Sequence, residues 1–278
     1  MTTVPNVLLN NGVEIPQLGF GVFQIKPADT VQAVTTALEA GYRHIDTAEM
    51  YGNEKEVGEA IRASGIDADD VFVTSKLNNG FHAYDDALRA FDQTLAALGT
   101  ERIDLFLIHW PLPTVIDYIP TWRALEKIYA DGRARAIGLS NFQPHHIRKI
   151  HAETDVPPAV NQIELHPFLT QDELRAFDAE HQIATEAWSP IAQGGVLDDP
   201  TIDQIAKEHG KTPAQVVLRW HIELGNIVFP KSVTPARIKE NFEIFDFELT
   251  AEEIGMISGL NKNERTGPDP DKFDYIPS

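Results

Sequence analysis

The sequence predicts an α/β fold: one (β/α)8 barrel spanning residues 1–278, its bottom closed by an N-terminal β-hairpin. Three observations predict it. Short apolar runs rich in β-branched and aromatic residues recur eight times along the chain. Stretches with helical periodicity lie between them, and strands alternating with helices imply right-handed βαβ units and a parallel sheet. The glycine fingerprint of an open, dinucleotide-binding sheet is missing: Gly19-Phe-Gly21-Val-Phe-Gln24 lacks the third glycine of G-x-G-x-x-G.

In chain order, Val7-Leu-Leu-Asn-Asn-Gly-Val-Glu-Ile15 sets Asn11-Gly12 between two apolar runs, a strong short-range hairpin signal. Residues 1–15 are therefore the expected cap. Barrel strands are expected at 18–23, 44–46, 71–75, 103–109, 134–139, 160–164, 185–188 and 227–230. Among the helices, Leu88, Phe91, Leu95 and Leu98 fall on one face at spacings of three and four, as do Val216, Trp220 and Leu224. Thr170, Thr212 and Thr250 each precede Glu or Gln by three residues, as N-caps of capping boxes do. Pro213 fits a first helical position, where its missing N–H costs nothing. Residues 263–278 are polar and Pro-rich, and are expected to form a tail over the barrel.

Composition narrows the function classes. The formal charge is −19, which argues against general binding to nucleic acid or to an anionic membrane. There is no cysteine, so disulfides, thiolate zinc sites and thiol catalysis are excluded. No apolar run approaches the ~20 residues of a membrane span. The start, from Met1 to Asn11, has no basic segment leading into an apolar one. A soluble, cytoplasmic protein is expected.

Barrel chemistry is expected where strands end. The predicted strand ends carry Phe23, Asp46, Ser75-Lys76, His109-Trp110, Ser140-Asn141, Asn161-Gln162 with Glu164, Trp188-Ser189 and Lys231-Ser232, with Tyr51 in the loop after Asp46. Asp46, Tyr51, Lys76 and His109 form a complementary set. A lysine ammonium favours a phenolate and so lowers the tyrosine pKa. An aspartate keeps a buried lysine charged. A histidine can orient a carbonyl oxygen or relay a proton. Such a set suits proton donation to an oxygen that turns negative, as when hydride adds to a carbonyl. Taken singly, each has a plainer role, in an ion pair or in packing; their coincidence at one mouth carries the reading.

Metal ligation competes with this reading. His44-Ile-Asp46 sets two ligand types on one side of a strand, and His145-His146 and His166 add candidates. However, no H-E-x-x-H occurs, and adjacent His145 and His146 at a helix start are expected to point apart. No metal is expected. For a phosphorylated cofactor, Lys231, Ser232, Arg237 and a helix start at Thr234-Pro235 can hold a phosphate. Trp188 can stack on a flat ring. Ser140, Asn141 and Gln162 can hydrogen-bond an amide.

Together, Gly41-Tyr-Arg-His-Ile-Asp-Thr-Ala-Glu-Met-Tyr-Gly-Asn-Glu54, Thr74-Ser-Lys-Leu77, Asp104-Leu-Phe-Leu-Ile-His-Trp-Pro111, Gly138-Leu-Ser-Asn-Phe142, Asn161-Gln-Ile-Glu-Leu-His-Pro167 and Phe229-Pro-Lys-Ser-Val233 resemble the aldo-keto reductase family across nearly the whole chain. The length and His209-Gly-Lys-Thr-Pro-Ala-Gln215 look most like its bacterial 2,5-diketo-D-gluconate reductase branch. The resemblance implies an NADPH-dependent carbonyl reductase on a TIM barrel, with a small-molecule carbonyl substrate. Tyr51 would be the general acid, Lys76 and Asp46 would lower its pKa, and His109 would orient the carbonyl. Trp188 would stack on the nicotinamide, and Ser140, Asn141 and Gln162 would hold its carboxamide. Gly21, Val22 and Phe23 would also meet the cofactor, and Ser189, Pro190, Ile191 and Gln193 would line the pyrophosphate. Lys231, Ser232, Val233 and Arg237 would surround the 2′-phosphate, with Glu240 and Asn241 at the adenine. Phe23, Met50, Asn78, Phe81, Trp110 and the tail would wall the substrate pocket. Asn78 departs from the family's usual tryptophan and implies a wider or more polar pocket. Family members are often monomers, so a monomer is expected. An NADPH-binding regulatory module with little turnover is the alternative, against which the complete tetrad argues.

Overall fold

Asn6–Leu8 (β1) and Glu14–Pro16 (β2) pair antiparallel in the computed structural model, which describes residues 4–277. Residues 1–3 of the expected cap and Ser278 of the tail lie outside the described residues. The hairpin turn is not the two-residue Asn-Gly type. Leu9 N–H donates to Val13 O, and Asn10, Asn11 and Gly12 span the gap, with Gly12 at φ 84°. That is a three-residue connection with glycine in the left-handed position. Leu9 and Ile15 are buried against Phe72, Leu105, Leu107 and Val160 of the barrel interior, so the hairpin plugs that end.

The barrel elements follow in order. They are β3 (Phe20–Gly21), α1 (Pro27–Ala40), β4 (His44–Asp46), α2 (Glu54–Ala63), β5 (Phe72–Leu77) and α3 (Tyr84–Leu98). Then come β6 (Ile103–Ile108), α4 (Ile119–Ala130), β7 (Ala134–Ser140), α5 (Pro144–Glu153), β8 (Val160–Glu164) and α6 (Asp172–Glu180). The last are β9 (Ala184–Trp188), α7 (Pro200–His209), α8 (Pro213–Glu223), β10 (Ile227–Val228), α9 (Pro235–Phe242) and α10 (Ala251–Ser258). β3 to β10 are parallel and pair strictly with their sequence neighbours. A parallel bridge between Leu18 and Val228 closes the sheet on itself, with Gly19 N–H donating to Val228 O at 2.8 Å.

Helices cover the outside. α3 buries Phe91, Leu95 and Leu98 on the predicted face, and α8 buries Val216 and Trp220. Capping boxes form at Thr212 with Gln215 and at Thr250 with Glu253. Thr170 does not cap: α6 starts after Gln171, whose φ of 47° is left-handed, and Thr170 Oγ1 donates instead to Asp172. The first and last barrel strands end earlier than predicted. Asn53 Nδ2 captures Val22 O and Ile25 O and curls that chain into a loop. Pro230 O still accepts from Gly21 N–H at 3.2 Å, beyond the end of β10. α7, capped by Asp199, is an addition that the sequence pattern did not announce. No helix among the described residues is long and apolar enough to cross a membrane.

Candidate active site

Asp46 ends β4, Lys76 sits near the end of β5, and His109 follows β6, so the parallel register brings all three to one mouth. Tyr51 joins them from a 3-10 turn, Glu49–Tyr51, that hangs over the end of β4. Lys76 is fully buried; its Nζ donates to Asp46 Oδ1 at 2.7 Å, to Thr47 O at 2.8 Å and to the Tyr51 hydroxyl at 3.4 Å. Burial alone would push the lysine down, but Asp46 holds it above its ordinary value. The His109 ring meets Tyr51 edge-on, with centroids 5.8 Å apart. Burial, with Lys76 nearby, holds His109 neutral and well below its ordinary pKa. Its Nδ1 is buried without a hydrogen-bond partner.

One expectation reverses here. Lys76 does pull the Tyr51 phenol down, but burial outweighs it and Asp46 opposes it, so the phenol is raised above its ordinary pKa. A phenol protonated across neutral pH is the state that can donate a proton.

The amide-bearing residues form a second layer. Gln162 Nε2 donates to Asp46 Oδ2 and to Glu186 Oε2, each at 2.8 Å. Asn141, at φ 67°, donates to His109 O and Ser140 Oγ, and its Oδ1 accepts from Trp188 Nε1 at 2.8 Å. Ser140 Oγ in turn donates to Gln162 O. A good part of this hydrogen-bonding capacity is thus spent internally; the Gln162 oxygen is the end turned away from the two carboxylates.

The loop after Trp188 holds Ser189, Ala192 and Gln193 at φ 50°, 48° and 55°. Left-handed non-glycine residues cost energy and cluster at functional sites. Gly21 lies across the mouth; a Cβ there would come 2.9 Å from Phe229 O. Val22 is buried, while Phe23 is exposed and packs on Tyr51 with centroids 5.0 Å apart. Lys231, Val233 and Arg237 are exposed around the start of α9, and Ser232 Oγ accepts from Thr234 N–H. Glu240 is engaged by Thr212 Oγ1 at 2.8 Å, and Asn241 is buried beside it.

Met50 and Phe81 are half-buried at the rim. Trp110 is not an open wall: it is buried beneath Phe273 of the tail, ring centroids 4.3 Å apart. Asn78 turns its oxygen to Gly80 N–H, and the neighbouring Asn79 fastens the tail through Tyr275 O at 2.9 Å. The tail is also bound at Glu164, which accepts from Thr266 Oγ1 at 2.6 Å and from Gly267 N–H at 3.2 Å.

His44 and His166, two of the metal candidates, have hydrogen-bond partners within the protein. His44 is buried between Pro16 O and Thr74 Oγ1, and His166 holds Glu164 at 3.1 Å. His145 and His146 do not point apart. Their rings lie 4.1 Å apart, and both Nε2 atoms reach Asp271 of the tail, at 3.2 and 3.4 Å. His146 Nδ1 accepts from Gln143 N–H, so its Nε2 carries the proton; that atom lies near Asp271 but makes no hydrogen bond. These contacts tie the tail to the start of α5, and the same three side chains bring ligand atoms within 4.8 Å of one another, a spacing that could hold a metal ion.

Two contacts, Glu186 and Asn79, are not among the residues singled out at the strand ends, whereas Glu164 is. Glu186 had a signal, a carboxylate inside an otherwise apolar strand. Asn79 had none, because its partner lies far along the chain.

The Aldo/keto reductase family model matches residues 17–262. An aldo-keto reductase of Mycolicibacterium smegmatis is 52% identical over 271 residues, covering 98% of each chain. The methylglyoxal reductase DkgA of Escherichia coli is 45% identical, covering 97% of this chain and 98% of its own. The crystal structure of Bombyx mori aldo-keto reductase in complex with NADP superimposes with a TM-score of 0.92 at 37% identity, over 99% of both chains.

Proposed function

This chain belongs to the aldo/keto reductase family, and on that premise we propose that it reduces aldehyde or ketone carbonyls to alcohols with NADPH as cofactor. The observation that carries this reading is the buried Lys76, bound to Asp46 and to the Tyr51 hydroxyl, beside a neutral His109. NADPH, when bound, supplies the hydride. Tyr51 donates the proton to the carbonyl oxygen. Lys76 stabilises the phenolate left behind, and Asp46 keeps Lys76 charged and fixed in place. His109, neutral and edge-on to the Tyr51 ring, offers an imidazole N–H that orients the carbonyl. The whole chain acts as one catalytic domain, and a cytoplasmic monomer is the simplest assembly.

The residues at hand fit the cofactor. Trp188 offers a ring face, Gln162 keeps an oxygen free to accept a carboxamide N–H, and Gly21 packs against Phe229 across the mouth. Ser140 and Asn141 sit beside it. The strained Ser189–Gln193 loop suits a pyrophosphate, and Val22 and Phe23 close the opposite rim. Ser232 and Val233 frame Lys231 and Arg237, which concentrate positive charge at the start of α9, against the −19 of the chain as a whole. Glu240 and Asn241 lie on the adenine side. Lys231→Glu or Arg237→Glu is therefore expected to weaken NADPH at least tenfold more than NADH, since a charged contact to the 2′-phosphate is worth about 1.5–3 kcal/mol. Fluorescence titration of both cofactors checks this, and equal weakening would place the 2′-phosphate elsewhere.

Asn78, Met50, Phe81 and a Trp110 capped by Phe273 leave a pocket rim that is part polar and part aromatic. That suits small, oxygen-rich carbonyls: 2-oxoaldehydes such as methylglyoxal, or keto-sugar acids as in the 2,5-diketo-D-gluconate branch. A panel of these compounds, scored by NADPH absorbance, tests the activity. Tight NADPH binding with no turnover on any member would instead favour a binding-only module.

A further inference from the structure

Glu186 lies in the middle of β9 and faces the barrel interior, fully buried. Its Oε2 accepts from Gln162 Nε2 at 2.8 Å, and its Oε1 has no hydrogen-bond partner. The same Gln162 nitrogen donates to Asp46 Oδ2 at 2.8 Å. An amide nitrogen carries two hydrogens, and here two carboxyl groups take both. A flipped amide would set its oxygen against the Asp46 carboxylate, so the orientation is fixed and Gln162 Oε1 is left as the free acceptor.

We propose that Glu186 is a positioning residue of the reductase site: through Gln162 it is tied to Asp46, and it sets both the orientation of the Gln162 amide and the charge beneath the Asp46–Lys76–Tyr51 group. This rests on the reading of Tyr51 as general acid.

The electrostatics give the role a signature. The groups facing Glu186 are Asp46 from β4 and Lys76 from β5; Gln162 on β8 is neutral, and the β10 partner is Ile227. Burial and Asp46 push the Glu186 carboxyl up to about 8. Glu186 therefore keeps its proton through neutral pH and loses it above that range. The added negative charge opposes a phenolate, so it holds Tyr51 protonated to higher pH.

Glu186→Gln and Glu186→Leu separate the two parts. Glu186→Gln keeps an acceptor oxygen for Gln162 but cannot ionise. Its reductive kcat is expected to fall on the alkaline side at a lower pH than in the unsubstituted protein, by up to about one unit, the scale on which a unit charge acts on a neighbouring buried group at an effective dielectric near 20. Glu186→Leu removes the acceptor and frees the Gln162 amide. Its Kd for NADPH at neutral pH is expected to rise about three- to tenfold, the scale of one hydrogen bond, and Glu186→Gln is expected to recover most of that loss. An alkaline limb in Glu186→Gln that superimposes on the unsubstituted profile overturns the proposal, as does unchanged NADPH binding in Glu186→Leu. Should the leucine variant fail to fold, the glutamine pH profile still decides. Tyr51→Phe, run alongside, separates the failures: an active Tyr51→Phe defeats the general-acid reading itself, whereas an inactive one with an unmoved Glu186→Gln limb defeats only the role of Glu186.

Discussion

Tyr51→Phe should lower kcat/KM for carbonyl reduction by about 10²–10⁴-fold, the usual contribution of a positioned general acid, while leaving NADPH binding within a few-fold. The substitution removes one oxygen. It leaves the ring that packs against Phe23 and His109, so the rim keeps its shape. The loss should fall mainly on kcat, because the proton is needed as the carbonyl oxygen becomes negative. Stopped-flow hydride transfer on preformed complexes is the direct measurement; near-full activity would mean that another group donates. The pH dependence has a definite sign. Burial holds the Tyr51 phenol above its ordinary value, so the acid form is present through neutrality and is lost only in the alkaline range. Burial holds His109 well below its ordinary value, so it contributes no protonation step near neutrality. Reductive kcat should then be flat between about pH 6 and 8 in the unsubstituted enzyme. A steep neutral limb that persists in Glu186→Gln would show that His109 titrates there.

The tetrad was legible in the sequence for a physical reason. Parallel strands in strict neighbour order put every strand end at one mouth, so locating the strands was enough to gather Asp46, Lys76 and His109. Tyr51 followed because it lies only five residues beyond Asp46. Boundaries were less legible where tertiary capture overrides local pattern, as when Asn53 curls the chain after β3 or Gln171 displaces Thr170 at the start of α6. The tail was the least legible part. Its fastening to Glu164, to Asn79 and to the His145–His146 pair depends on partners more than 100 residues away, and no local spacing announces them. The phenol pKa is illegible for a related reason. Lys76 and Asp46 were visible as neighbours, but the depth of burial, which outweighs them, is a property of the closed barrel.

Lys76→Met should cost both activity and stability, and the two losses can be pulled apart. Lys76 is fully buried with three acceptors, so methionine fills much of the space but leaves Asp46 without its cation. Breaking a buried pair from one side costs about 3–5 kcal/mol. The stranded carboxyl, held in place by Gln162 alone, would take up a proton more readily than in the unfolded chain. A group whose folded pKa is raised contributes stability at low pH and loses it as pH rises. Lys76→Met should therefore approach the unsubstituted protein in mildly acidic urea melts and fall away from it towards neutrality. Adding Asp46→Asn removes the stranded charge and keeps an acceptor for Gln162, so the double variant should regain most of the lost stability at neutral pH. It should not regain activity, because nothing remains to stabilise the Tyr51 phenolate. A double variant that is both stable and active would remove Lys76 from the chemistry and leave it as half of a structural ion pair.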